Sequence, residues 1–80
     1  MDQAFLMDMI ERREQVAELQ AGAADALEGY RDEVEGEAGA ALAAAVGHLD
    51  AGNVAAAARA LVVRRYLARL LDEIDGVPHH

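Results

Sequence analysis

The chain contains no cysteine, serine, threonine, lysine or tryptophan, and it has a single proline and a single phenylalanine. Without cysteine there are no disulfides and no thiolate metal ligands. Hydroxyl, thiol and amine nucleophiles are missing too, which leaves carboxylates, histidine and tyrosine as the reactive side chains and makes a catalytic role a poor expectation. All seven basic side chains are arginines, against 15 carboxylates, giving a formal charge of -8. Such a surface does not neutralise a phosphate backbone, so nucleic acid is excluded as a partner. No apolar run approaches the roughly 20 residues of a membrane span, and no secretory leader pattern opens the chain; a soluble, cytoplasmic protein is expected.

What is present is alanine and helical periodicity. Eighty residues make one small domain with a modest core. Nineteen alanines, few β-branched residues outside the valines and no hairpin dipeptide predict an all-α fold, an antiparallel three-helix bundle with helices at about 2–20, 23–49 and 53–75. Asp2 is placed to cap the first helix, and Gly22 to end it. Asp50-Ala51-Gly52-Asn53 reads as the second turn, with Gly52 at positive φ and Asn53 capping the third helix. Gly76 followed by Pro78 stops that helix. The domain then covers residues 1–76, and 77–80 is expected to be a disordered tail with the character of the start of a purification tag.

The first helix carries two apolar surfaces. Phe5, Met9, Val16 and Leu19 follow the spacing of a bundle seam. Leu6, Met7 and Ile10 fall on another side, continued along the helix by Glu11, Glu14 and Glu18. Either this second patch is further core, or it is a docking surface. The carboxylates favour docking, because like charges at i, i+3 and i, i+4 repel unless something basic answers them; Arg13 is placed to answer part of that charge. The second helix repeats Leu27, Val34, Ala38, Ala41, Leu42, Ala45 and Leu49 inward, interrupted by Gly29, Gly36, Gly39 and Gly47. Those glycines mark a kink near Gly36–Gly39 or allow close helix approach, and both readings stand. The third helix has a wide apolar arc of Ala57, Ala60, Leu61, Val63, Leu67, Leu70, Leu71 and Ile74, with Arg65, Arg69 and Asp72 opposite. Tyr66 lies at the margin of the arc. His48 belongs to a helix end, and neither it nor His79 and His80 has the spacing of a metal site; no metal and no cofactor is expected.

Phe5-Leu6-Met7, Ile10-Glu11 and Arg13-Glu14, followed by Leu49-Asp50 and an alanine-rich helix ending in Arg65-Tyr66-Leu67 and Leu70, resemble the C-terminal domain of the HscB co-chaperones. These are J-proteins dedicated to iron-sulfur cluster biogenesis. The resemblance runs from Ala4 to about Ile74 and is strongest in the first helix and around Tyr66. It implies a three-helix bundle that binds the scaffold protein IscU and delivers it to the DnaK-like chaperone HscA. Carried over by position, it implies an apolar patch of Leu6, Met7 and Ile10, a charged rim of Glu11, Arg13, Glu14 and Glu18, and an aromatic contribution from Tyr66, where a phenylalanine is common. Arg12 departs from the pattern, with its stem expected over the core and its head in water. A full family member also opens with a J-domain bearing a His-Pro-Asp tripeptide, which this sequence lacks. The expectation is therefore a chain cut to the C-terminal domain or a natural standalone adaptor, the former preferred; the chaperone is reached only indirectly. The alternative function, from a different class, is a structural self-association module that buries the same patch in a homodimer.

Overall fold

A computed structural model describes residues 3–22 and 24–76, and contains three helices, α1 (Gln3–Ala21), α2 (Ala24–Asp50) and α3 (Val54–Asp75). Each boundary lies within one residue of the expected one. The roles expected of Asp2, Pro78, His79 and His80, and the tail at 77–80, lie outside the described residues.

The turns form for the reasons their residues supply. Gly52 takes φ 78°, a left-handed conformation that costs a glycine nothing in sterics. Asn53 Oδ1 accepts the Ala56 N–H at 3.1 Å, satisfying a donor that the first turn of α3 leaves free. Gly76 closes α3 in the same left-handed region, its N–H reaching the carbonyls of Asp72 and Glu73. Gly22 donates to the Leu19 carbonyl at 3.1 Å as α1 ends.

Interhelix contacts give the topology and the register. Phe5 stacks on Tyr66 and Arg13 binds Glu73, offsets of 61 and 60 residues (66 minus 5, 73 minus 13), so α1 and α3 run parallel in fixed alignment. Arg31 near the start of α2 binds Asp75 at the end of α3 (2.8 and 3.2 Å), so α2 is antiparallel to both. The core consists of Met9, Val16, Val34, Leu67, Leu70 and Ile74, with Phe5, Leu27, Tyr30, Val63 and Tyr66 packed around it. At about 1.5 Å per residue α1 is roughly 28 Å long and α2 roughly 40 Å. The α2/α3 hairpin therefore overhangs α1, and the molecule is elongated, 44 × 24 × 23 Å.

Three expectations are corrected at the overhanging tip of the hairpin. Leu42, Leu49 and Leu61, assigned inward by periodicity, are exposed at 42%, 53% and 44%, because they emerge on the side turned away from α1. At the tip the seam between α2 and α3 is closed instead by Ala45 and Ala57, both fully enclosed. The glycines of α2 also behave otherwise than expected. The helix is continuous from Ala24 to Asp50, and a Cβ added at Gly29, Gly36, Gly39 or Gly47 meets nothing within 4 Å, so no neighbour requires them small. Gly39→Ala is accordingly expected to stabilise the fold by about 0.5–1 kcal/mol, read as a rise in the thermal midpoint.

Arg12 is the remaining correction. Its head does not escape to water; it donates to Asp8 at 3.0 Å and, through both terminal nitrogens, to Glu37 at 2.7 Å each. This fork-on-fork pairing ties α1 to α2 and holds the Glu37 carboxyl below the usual carboxylate range. Next to it the Tyr30 hydroxyl is enclosed without a hydrogen bond of normal geometry, and burial pushes its pKa up.

Candidate functional site

Neighbouring residues on an α-helix point about 100° apart, and on α1 this separation distributes the side chains among three environments. Met9 and Val16 enter the core, Arg12 turns to α2 and Arg13 to α3. Leu6, Met7 and Ile10 occupy the remaining sector. They are exposed at 39%, 53% and 53%, so this patch is not further core.

The patch is not a flat stripe. Leu6 and Ile10, with Met9 and Arg13, form one wall of a cleft of about 240 Å³, and Tyr66, Arg69 and Leu70 of α3 form the other. Tyr66 is set in place by Phe5, whose ring meets it edge to face with centroids 5.6 Å apart and planes at 80°, a favoured aromatic geometry. The same Tyr66 and Arg69 line a second recess with Val62 and Arg65, of about 280 Å³. The apolar surface thus passes from α1 across Tyr66 onto the flank of α3. Met7 lies outside the cleft lining, on the outer crest of α1, and is about half exposed.

The charged residues separate into groups. Glu14 and Glu18 are exposed and lie on the crest beside Ile10. Glu11, also exposed, lines the opposite groove between α1 and α2 together with Asp8, Gln15, Tyr30, Glu33 and Glu37. That groove, about 710 Å³, is larger than either recess at Tyr66, but Arg12 in it is already engaged by two carboxylates and its walls are predominantly acidic. Arg13 does not answer Glu11, Glu14 or Glu18. Its guanidinium is held by both oxygens of Glu73, with Nε at 2.9 and 3.1 Å, and Gln20 Nε2 adds a bond to the Glu73 carbonyl at 3.0 Å. Arg13 therefore anchors α1 on α3 at the edge of the cleft.

Sequence reasoning did not assign Arg65 and Arg69 to the site. Their side of α3 is opposite the arc that packs on α2, and periodicity reads it as solvent. Because α1 docks along the Tyr66 edge of that arc, the two arginines flank the cleft, and among the described residues no carboxylate pairs with either. A basic edge on α3 therefore faces an acidic crest on α1 across an apolar cleft. Among the described residues no group of three or more His, Asp or Glu is placed to hold a metal ion, and none of the described helices is long and apolar enough to cross a membrane.

No curated protein and no solved structure matches the chain. One family model does, described as the HSCB C-terminal oligomerisation domain, and it matches residues 1–75. The match spans all three helices together with Leu6, Ile10 and Tyr66 of the cleft, and the chain belongs to this family of co-chaperone domains.

Proposed function

We propose that this domain is a non-catalytic adaptor that holds an IscU-like iron-sulfur scaffold protein on the α1/α3 cleft, in the cytoplasm, for delivery to a DnaK-like (HscA-like) chaperone engaged elsewhere. The observation that carries the reading is the exposure of Leu6, Met7 and Ile10 along the cleft that Tyr66 completes from the other helix. Apolar anchors that desolvate inside a charged rim supply most of the energy of a modest interface. Glu14 and Glu18 on one side, Arg65 and Arg69 on the other, and Glu11 beyond the crest give that rim both signs. The rim orients a partner of complementary pattern and speeds its approach more than it tightens the complex.

Met7 offers the cleanest test, because it is exposed and lies outside both the core and the cleft lining, so its truncation is expected to leave the bundle intact. Titration calorimetry of Met7→Ala against the scaffold protein is expected to show binding weakened about tenfold, or about 1.4 kcal/mol, with unchanged helicity. Equal affinity for the two proteins removes Met7 from the interface. A second reading, self-association, is favoured by the family description, which names oligomerisation.

A further inference from the structure

We infer that the overhanging tip of the α2/α3 hairpin is a self-association surface, on which a second copy of this chain docks tip to tip. This inference rests on the second of the two readings above and supplies its surface, one separate from the α1/α3 cleft.

The tip exposes apolar side chains of unusual size for its composition: Leu42, Val46 and Leu49 on α2, and Val54 and Leu61 on α3, all between 42% and 68% exposed. Positions 42, 46 and 49 share one side of α2, and 54 and 61 share one side of α3. The two stripes lie on the same face of the hairpin. On α2, Leu42 lies five residues and about 140° from Glu37, which meets α1, with the seam residue Ala45 between them; on α3, Leu61 lies about 220° from Tyr66 when measured through the seam residues Leu67 and Ala57. Both leucines therefore emerge on the side turned away from α1, flanking the buried Ala45 and Ala57. Among the described residues nothing covers this face, because α1 meets α3 at the level of Tyr66 and lies on the other side.

Charge identifies the occupant. From Ala38 to Ala58 there is no arginine and only one carboxylate, Asp50, in a chain of net charge -8. Two copies of so acidic a protein repel each other over most of their surfaces, and a two-fold interface brings each patch against its own likeness. The tip is where like meets like without opposing carboxylates. The acidic crest of α1 lies toward the other end of a 44 Å molecule, beyond the roughly 8 Å screening length of physiological salt. A basic or acidic partner, by contrast, finds no charge here to pair with.

Size determines the strength of association. A face two helices wide and about three turns long covers roughly 20 by 20 Å, which is roughly 800 Å² for the pair, below the standard range for stable interfaces. The dimer is therefore weak, with Kd on the order of 100 µM, and its interface leaves the cleft of each copy open.

Sedimentation equilibrium from about 10 µM to about 1 mM brackets that constant. The expected result is a reversible dimer whose dissociation constant rises at least tenfold in Val46→Glu and in Leu61→Glu, each a substitution at an exposed helical position, and stays unchanged in Met7→Glu. A chain that remains monomeric to about 1 mM overturns the inference together with the self-association reading. A dimer that survives both tip substitutions but is lost in Met7→Glu overturns the tip surface alone and places self-association on α1.

Discussion

Leu70→Ala is expected to lower the stability of the domain by about 2–5 kcal/mol, the range for emptying a fully buried leucine site. Leu70 is 2% exposed and packs where all three helices meet, among Met9, Val34 and Leu67. Proteins of this length are held by roughly 4–12 kcal/mol in total, and a small core puts this one near the lower end. At about 4–8 °C per kcal/mol for a domain of this size, a mid-range loss lowers the thermal midpoint by more than ten degrees. Leu61→Ala makes the contrast within the same helix. Leu61 is 44% exposed, lies on the side turned away from α1, and its truncation is expected to change the midpoint by no more than about 2–4 °C, consistent with surface substitutions of about 0.5 kcal/mol or less. Thermal melting followed by circular dichroism compares the two directly. Equal losses would place the core differently along α3.

The second large effect concerns recognition. Replacing Leu6, Met7 and Tyr66 together by alanine is expected to weaken binding of the scaffold protein at least about a hundredfold, or about 2.7 kcal/mol, and titration calorimetry checks it. Tyr66 carries two duties in that variant. Its ring is one wall of the cleft and also the partner of Phe5, so its removal loosens the seat of α1 as well. A companion variant with Leu6→Ala, Met7→Ala and Tyr66→Phe keeps the aromatic contact and separates the two effects. If binding in the companion recovers only the share owed to the ring, Leu6 and Met7 are direct anchors. If it recovers fully, the apolar patch on α1 is not the contact and the cleft reading fails.

The helices, their turns and most of the core were legible in the sequence because each rested on a local rule. Gly52, Asn53 and Gly76 act within their own turns, and Met9, Val16, Val34, Leu67, Leu70 and Ile74 recur at helical spacing. The errors came where the placing of one helix on another matters. Leu42, Leu49 and Leu61 have the periodicity of core residues, yet they emerge on the side of the hairpin turned away from α1. The patch of Leu6, Met7 and Ile10 was legible as a surplus apolar face. Arg65 and Arg69 were not, because their place at the cleft depends on the azimuth at which α1 lies on α3. Periodicity within α3 carries no information on that angle. The targets of Arg12 and Arg13 were hidden for the same reason, since Glu37 and Glu73 lie 25 and 60 residues away.

Those two arginines are adjacent in the chain and grip different helices. One fixes how far α1 is rolled toward α2, and the other fixes how far it has slid along α3. Apolar packing alone is forgiving of such adjustments, since a core accepts many rearrangements of similar volume. Paired guanidinium and carboxylate groups are not, because their hydrogen bonds demand planar alignment. Their net energy at a partly exposed site is small, so they act less as glue than as a two-axis setting screw. The aim of Leu6 and Ile10 at Tyr66 is thus calibrated by polar residues that belong to neither the core nor the apolar anchors of the cleft.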